Sequence, residues 1–350
     1  MIAKFRAWFY QRSLLKVTKL PAFVVSVGNL SMGGTGKSPF VMLLAEKAVA
    51  AGLRTAVLTR GYKRESNEVV IVGPNEKIPP VEKIGDEPWM IKNRVPGISL
   101  LVHADRGLKA AELWQELGSP ELVILDDGFQ HWKLARDRDV VMVDATEPLH
   151  GAALPFGKMR EEASALGRAD LVVVTRSAGL ESRERQFLLG QISAAVEKRI
   201  SAPWKKTTTA RAAVLWADYQ FSGFKDIRDG SSLGSVKGRE FVLVTGIAKP
   251  AGFTRMAQSL GINIREEIYF PDHHPLSAVD RDKILAAVAR LNGGSILLSE
   301  KDFARWGKIV KDIPGVSVEV RFQFCGEGAP SLDHFCDSIF AEARRCSISG

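Results

Sequence analysis

The chain has 350 residues, 45% of them hydrophobic and 25% charged, which is long enough for two domains with substantial cores in a soluble or peripheral protein. No apolar run reaches the roughly 18 residues of a spanning helix, and nothing resembles a signal peptide with a cleavage site, so a cytoplasmic protein is expected. The formal charge of +8 and pI near 9.4 favour anionic partners such as nucleotides, nucleic acid or acidic lipid, and Cys325, Cys336 and Cys346 lack metal-ligand spacing and point to a reducing compartment.

Met1 to Ala45 contain no Asp or Glu, while Lys4, Arg6, Arg12, Lys16 and Lys19 lie among Phe5, Trp8, Phe9, Leu14 and Leu15. This is the pattern of an interfacial helix. Ile2, Phe5 and Phe9 share one face at helical spacing, and Arg12 and Lys16 intrude on it further along. Two readings stand: reversible attachment to an anionic membrane, or a helix packed on the protein's own core with its bases in solvent.

Val24 to Gly28 form an apolar β-type run. Leu30-Ser31-Met32-Gly33-Gly34-Thr35-Gly36-Lys37-Ser38 follows and opens a helical pattern from Phe40 to Ala51. Strand, glycine-rich loop and helix make a phosphate cradle, in which the backbone N–H groups of Met32 to Ser38 turn on an anion beside the positive helix end. Lys37 is placed to reach the β and γ phosphates and Ser38 to offer its hydroxyl to Mg²⁺. The position five before Gly36 is Ser31 rather than glycine, so the loop is a variant P-loop. A dinucleotide fingerprint fails for want of a third glycine.

Thr55 to Thr59 reads as the next strand, giving a βαβ unit and a parallel sheet, with the basic run Arg60 to Arg64 directly off its end as a phosphate contact or a solvated turn. Asp86, in Gly85-Asp86-Glu87-Pro88, precedes a helix that it could cap. Arg106 follows the short strand Leu100 to Val102 and opens a helix running to Leu117. Leu122-Val123-Ile124-Leu125-Asp126-Asp127 is a Walker-B arrangement, a buried strand delivering carboxylates to a metal beside the P-loop. The rival reading makes both acids turn formers before Gly128. Neither the Asp-x-x-Gly nor the Asn-Lys-x-Asp signature of guanine nucleotide proteins is met, which favours ATP.

Strand Val140 to Asp144 leads into a loop containing Met159-Arg160-Glu161-Glu162. Strand Leu171 to Thr175 is expected to close the first sheet, with a helix over Glu181 to Arg199 and a connector from Ser201 to Thr209. The second half repeats the theme, with strands at Phe241–Thr245, Glu267–Phe270, Ser295–Ser299 and Val316–Phe322, and helices at Gly252–Leu260, Ala278–Leu291 and Asp333–Arg345. The fold expected is α/β, two three-layer α/β/α domains, the first a P-loop NTPase-like parallel sheet. The divisions are residues 1–22 for the N-terminal helix, 23–205 for the P-loop domain and 206–350 for a second domain closing over the cleft. Asp272-His273-His274 follows a strand; adjacent side chains on an extended segment point to opposite faces, so at most one His faces the site.

These motifs together resemble the tetraacyldisaccharide 4′-kinase (lipid A 4′-kinase) family. The resemblance rests on the Gly28 to Ser38 loop, Arg60-Gly61-Tyr62, Gly85-Asp86-Glu87-Pro88, Asp105-Arg106, Asp126-Asp127-Gly128-Phe129-Gln130-His131, Gly246-Ile247-Ala248-Lys249-Pro250, Asp272-His273-His274 and Glu300-Lys301-Asp302. It implies ATP- and Mg²⁺-dependent phosphorylation of the 4′-hydroxyl of an acylated glucosamine disaccharide 1-phosphate. It also implies Asp86 as the base and His273 as its partner, with Lys37, Ser38, Asp126, Asp127 and Arg106 serving phosphates and metal and Glu161 near the metal. A monomer peripheral to the cytoplasmic face of the inner membrane, with no nucleic acid partner, goes with it. The rivals are a P-loop GTPase or metallochaperone switch and a non-catalytic membrane-bound nucleotide sensor.

Overall fold

The computed structural model describes residues 7–348 apart from 11, 13, 63, 153, 155, 199, 201, 203, 205–211, 273 and 326–331. Of the expected N-terminal helix over 1–22, residues 1–6, 11 and 13 lie outside the described residues, as does most of the expected connector at 201–209; Ala7 to Tyr10 are helical, whereas Leu14 to Ala22 are not, and Thr18 bridges in parallel to Leu134. The chain divides into two compact units, Met1–Tyr219 with Phe322–Gly350, and Gln220–Arg321.

In the first unit β1 (Phe23–Asn29) feeds α1 (Lys37–Ala50), followed by β2 (Thr55–Thr59), β3 (Val70–Val72), α2 (Val81–Ile84), α3 (Asp86–Arg94), β4 (Ser99–Val102), α4 (Arg106–Glu112), β5 (Leu122–Asp126) and β6 (Arg138–Asp144). A 3₁₀ turn at Ala163–Arg168, β7 (Leu171–Thr175), α5 (Ser182–Glu197) and β8 (Ala213–Asp226) complete the run. The strand order is β8-β7-β6-β1-β5-β2-β4-β3, parallel throughout except for the antiparallel β3–β4 pair. Val25, Val27, Val57 and Ile124 are fully buried, as strands covered on both faces require. Val24, Leu58, Leu101, Val123 and Leu125 pack with Ala110 of α4 on one face, and α1 lies against β1, β2 and β5. Strand β7 does not close this sheet: β8 pairs with it in parallel, Leu171 opposite Ala213. Its long, mixed pattern of half-buried residues hid it from a search for short apolar runs.

β8 carries the chain into the second unit, where β9 (Ser232–Leu233) pairs with it, and β10 (Glu240–Thr245), α6 (Pro250–Ser259), β11 (Asn263–Tyr269), α7 (Ala278–Ala289), β12 (Ser295–Ser299) and α8 (Glu300–Val310) follow. β13 (Gly315–Cys325) leads out again to α9 (Leu332–Ile348). The sheet order here is β11-β10-β12-β13, all parallel. Val242, Val244, Ile296 and Leu298 pack with α7 and α8 on one face, and Phe241, Leu243 and Leu297 with α6 on the other. The Glu300-Lys301-Asp302 run is the first turn of α8, with the Ser299 hydroxyl accepting from the Asp302 amide at 3.1 Å as an N-cap. Asp302 then accepts from Thr245 Oγ1 at 2.6 Å and the Gly246 amide at 3.1 Å, so it staples the loop after β10.

The compact units differ from the expected divisions at the C-terminus. Helix α9 belongs with the first unit: Cys336, Ile339, Phe340 and Ala343 are buried, and α9 lies against α1 and β1. Lys47 pairs with Asp333 at 2.7 Å, Arg138 with Glu342 at 2.6 Å, and Arg344 Nη2 donates to the Ala51 carbonyl at 2.7 Å. Among the described residues no helix is long and apolar enough to cross a membrane.

Helix α3 is anchored by a fully buried lysine. Lys92 Nζ donates to the carbonyls of Gly73, Pro96 and Ile98 at 2.7, 2.7 and 2.6 Å, using all three of its protons. Lys92→Met removes a donor from all three carbonyls, of which those of Gly73 and Pro96 keep the Glu76 and Asn75 amides, and it buries the Ile98 carbonyl without its ammonium, so it is expected to cost on the order of 2 kcal/mol in urea denaturation. A loss below about 0.5 kcal/mol would show that water replaces the ammonium there.

Candidate active site

The parallel register of the first unit gathers the chemistry at one edge. Val27 lies opposite Asp126 and Leu58 opposite Leu125, so β1, β2 and β5 end together at the phosphate loop, Thr59 and the acid pair. That edge, beyond the carboxyl ends of parallel strands, is where α/β sheets bind ligands.

The loop from Ser31 to Gly36 closes onto α1 through Gly36, at φ 93° and ψ 16°. A Cβ there would stand 2.7 Å from the Tyr219 hydroxyl and 2.8 Å from Phe322 Cζ, so glycine is required both by the left-handed backbone and by close approach. Thr35 is latched on two sides: Asn29 Nδ2 donates to its hydroxyl at 3.0 Å, and Thr175 Oγ1 donates to its carbonyl at 3.1 Å. Added side-chain carbons at Gly33 and Gly34 would meet nothing within 4 Å, which leaves the concave side of the loop open, and Ser38 lies buried in the first turn of α1. Met32 stands exposed.

Asp126 is the last residue of β5, buried, with its Oδ2 accepting from Thr59 Oγ1 at 2.9 Å. Burial first, then the charges of Glu87 and Asp127, push its carboxyl up to about 7 against the opposing pull of Thr59 and Lys37. Asp127 adopts φ 47° and turns to the cations. Lys37 Nζ stands 3.5 Å from its Oδ1, and Arg160 Nη1 donates to Oδ1 and Oδ2 at 2.9 and 2.7 Å. Burial raises the Asp127 pKa, but Lys37 and Arg160 outweigh it and hold the group below the usual carboxylate range. Arg106 is buried, and its Nη2 donates to the carbonyls of Asp126 and Asp127 at 2.9 and 3.0 Å. It therefore braces the backbone of the acid pair, a role the sequence reading did not give it.

Glu161 is held differently from the aspartates. Arg168 donates to both its oxygens at 2.9 Å, and Gln130 Nε2 bridges from Glu161 Oε1 at 3.0 Å to the Asn29 carbonyl at 2.9 Å. The Arg168 guanidinium also lies 4.2 Å over the Phe129 ring and 4.8 Å over Trp132, so the Phe129-Gln130 stretch is fixed from behind. Asp86 opens α3, buried, with Oδ1 accepting from the Glu87 amide at 3.0 Å. The helix end it occupies is the one whose Glu87 charge is felt at Asp126.

In the second unit, His273 lies outside the described residues. Its neighbour His274 stacks on Phe270, with ring centroids 4.9 Å apart, and its Nε2 is 3.0 Å from Asp280 in the cap of α7, a structural post. Sequence reasoning missed Thr59, Arg160 and Arg168 as site residues. Arg160 was in view beside Glu161, but nothing local in the sequence tells which acid it meets across the fold.

The donor set suits a hard divalent cation. Asp127 raises the proton affinity of Asp126, Ser38 lies at the mouth of the phosphate loop, and among the described residues no group of three His, Cys, Asp or Glu side chains forms a complete protein cage. Few protein ligands are what Mg²⁺ takes when phosphate oxygens and water fill the remainder of its shell.

A family model described as Tetraacyldisaccharide-1-P 4′-kinase matches residues 1–339. The chain belongs to the tetraacyldisaccharide-1-P 4′-kinase family. Relatives named tetraacyldisaccharide 4′-kinase include one from Anaeromyxobacter dehalogenans, 36% identical over 87% of this chain and 77% of its own length. Another, from Aquifex aeolicus, is 36% identical over 79% of each chain. A crystal structure of LpxK from Aquifex aeolicus in complex with ATP matches with a TM-score of 0.74 and 28% identity, covering 98% of this chain and 95% of that one. As a member of this kinase family the chain is an enzyme, which sets aside the GTPase-like switch and the non-catalytic sensor.

The acid pair gives the kinase a stability signature in its metal-free state. An unfolded chain releases the Asp126 proton near the ordinary value of about 3.9, whereas the fold retains it up to about 7. Between those values the folded state binds more protons, so this group's contribution to stability falls as pH rises. With a chelator present, Asp126→Asn is expected to exceed the wild type in urea-denaturation stability at about pH 8 by on the order of a few kcal/mol and to match it near pH 4. Equal stability at both pH values would show that the acid is not protonated by the fold.

Proposed function

We propose that this kinase transfers the γ-phosphoryl group of ATP to the 4′-hydroxyl of an acylated glucosamine disaccharide 1-phosphate. Family membership carries the substrate class, and the phosphate loop facing the Asp126–Asp127 pair carries the reaction type. Met32 to Ser38 hold the phosphates through their amides, with Lys37 on the β and γ groups. Ser38, Asp126 and Asp127 are the residues that would hold Mg²⁺, with Glu161 behind them through Gln130; the ion, when bound, neutralises charge on the phosphates.

Asp86 is the proposed base. As the sugar oxygen forms the new P–O bond, the bond from the γ-phosphorus to the bridging oxygen breaks, ADP leaves with that oxygen, and the hydroxyl proton passes to Asp86. Catalysis in such a transfer is mainly positioning and electrostatic stabilisation, with proton removal contributing about 10²–10⁴-fold. His273, from the second unit, is proposed as the partner that orients this carboxylate.

The basic, aromatic N-terminal segment is proposed to hold a monomer peripherally on the cytoplasmic face of the bacterial inner membrane, where the lipid acceptor resides. Trp8, Leu14 and Leu15 are exposed apolar residues of that segment, which supports the reading. No nucleic acid is needed to account for the positive charge.

The test is incubation of the full chain with ATP, Mg²⁺ and the disaccharide 1-phosphate lipid in detergent micelles. Mass spectrometry is expected to find one added phosphate. Asp86→Ala is expected to lower kcat by about two orders of magnitude or more with little change in KM for ATP. Near-normal turnover would remove Asp86 from the mechanism, and a lipid recovered unmodified from the wild type would overturn the substrate assignment.

A further inference from the structure

Resting on the ATP-kinase reading above, we propose that the N-terminal segment is a wall of the active site as well as an anchor. Tyr10 is its positioning residue, acting through Trp132 on the loop that follows β5.

The segment turns different groups outward and inward. Trp8, Leu14 and Leu15 are exposed, the apolar groups available to a lipid surface. Tyr10 is only 4% exposed, and its ring stacks on that of Trp132, with centroids 6.1 Å apart and planes 23° from parallel. Further along, the Thr18 amide donates to the Lys133 carbonyl at 2.8 Å, and the Ala135 amide donates to the Thr18 carbonyl at 2.9 Å. The segment therefore grips residues 132–135 twice, once by a ring and once by backbone. Those residues continue directly from the Asp126 to His131 run.

Trp132 carries the contact inward. It is 3% exposed and confined by Tyr10, by the edge-on ring of Trp204 at 5.4 Å and by the Arg168 guanidinium 4.8 Å over its face. Arg168 in turn lies 4.2 Å over Phe129 and donates to both oxygens of Glu161 at 2.9 Å. Gln130 joins Glu161 to the Asn29 carbonyl, and Asn29 Nδ2 donates to the Thr35 hydroxyl inside the phosphate loop. Ring contacts and hydrogen bonds thus run without a break from Tyr10 to the phosphate cradle.

Such a path transmits position because its members are buried and close-packed. Removing the Tyr10 ring opens a cavity beside Trp132, which the indole fills by shifting, and Arg168 then loses the face it rests on. The loop has reason to need that support: Asp127 holds φ 47°, a left-handed conformation that a residue other than glycine keeps only where its surroundings fix it. Asp126 and Asp127 serve the metal and phosphates, so their displacement lowers kcat even when the acceptor is saturating. Loss of an anchor acts on KM for the lipid instead.

The experiment uses the full chain and its Tyr10→Ala and Tyr10→Phe variants. Steady-state transfer to the disaccharide lipid in detergent micelles gives kcat and KM for the acceptor. Amide hydrogen exchange of the nucleotide-free proteins follows the 128–135 segment, with β4 as the internal control. Tyr10→Ala is expected to lower kcat about tenfold or more, to change KM for the acceptor less than about twofold, and to speed exchange of the His131 and Ala135 amides about tenfold while β4 is unchanged. Tyr10→Phe keeps the ring and is expected to restore both readouts to within about twofold of the wild type. A normal kcat with a raised KM in Tyr10→Ala overturns the proposal and leaves an anchor only. Unchanged exchange across 128–135 overturns it too, as does faster exchange throughout the chain with a lowered melting temperature, which would make Tyr10 a general packing residue. Should the wild type phosphorylate no lipid, the substrate reading fails, while the exchange of 128–135 still judges Tyr10.

Discussion

The parallel pairing of β1 with β5 is the constraint on which the rest of the first unit depends. With Val27 opposite Asp126, the strand that feeds the phosphate loop and the strand that ends in the acid pair finish at the same edge. A slip of one residue would turn every side chain of β5 to the other face and carry Asp126 away from Thr59 and Lys37. Backbone contact at the strand ends locks the register: a Cβ at Gly28 would lie 2.5 Å from Phe129 Cβ, so the loop after β5 closes directly over the end of β1. The full burial of both strands makes that register costly to lose.

Around this edge the protein arranges its charges in two layers. Facing the phosphate loop are Asp126, Asp127, Lys37 and Arg160, in a half-buried setting where pairings are strong enough to push the two aspartates in opposite directions. Behind them stand Arg106 under the acid-pair carbonyls, Arg168 on Glu161, and Arg136 ion-paired to Asp139 at 3.0 Å with both side chains fully buried. Arg136 also donates to the carbonyls of Gly128 and His131, at 3.1 and 2.7 Å. The segment from Asp126 to His131 is thus held from behind by Arg106, Arg168 and Arg136. That is the preorganisation electrostatic catalysis needs, since dipoles and charges already in place need not reorganise during the reaction.

The second unit uses the same economy of loops at strand ends, with Asp302 stapling the turn after β10 and His274 fixed between Phe270 and Asp280.

Much of this architecture could be read from the chain alone. The phosphate loop, the strand leading to Asp126-Asp127 and the alternating strands and helices announce themselves because their signals are local: a glycine cluster before Gly-Lys-Ser, an apolar run closed by acid, an apolar period of two or near four. What the linear order could not carry is which partner each charge would find. Asp127 and Arg160 are 33 positions apart, and Lys47 and Asp333 are 286 apart. Only the packed fold decided that Arg160 shares Asp127 with Lys37, that Arg106 serves the backbone, that Glu161 answers to Arg168, that β8 extends the first sheet and that α9 returns to it. The physical reason is that ionic and edge-strand pairing depend on proximity in three dimensions, whereas periodicity and turn chemistry are written within a few residues of where they act.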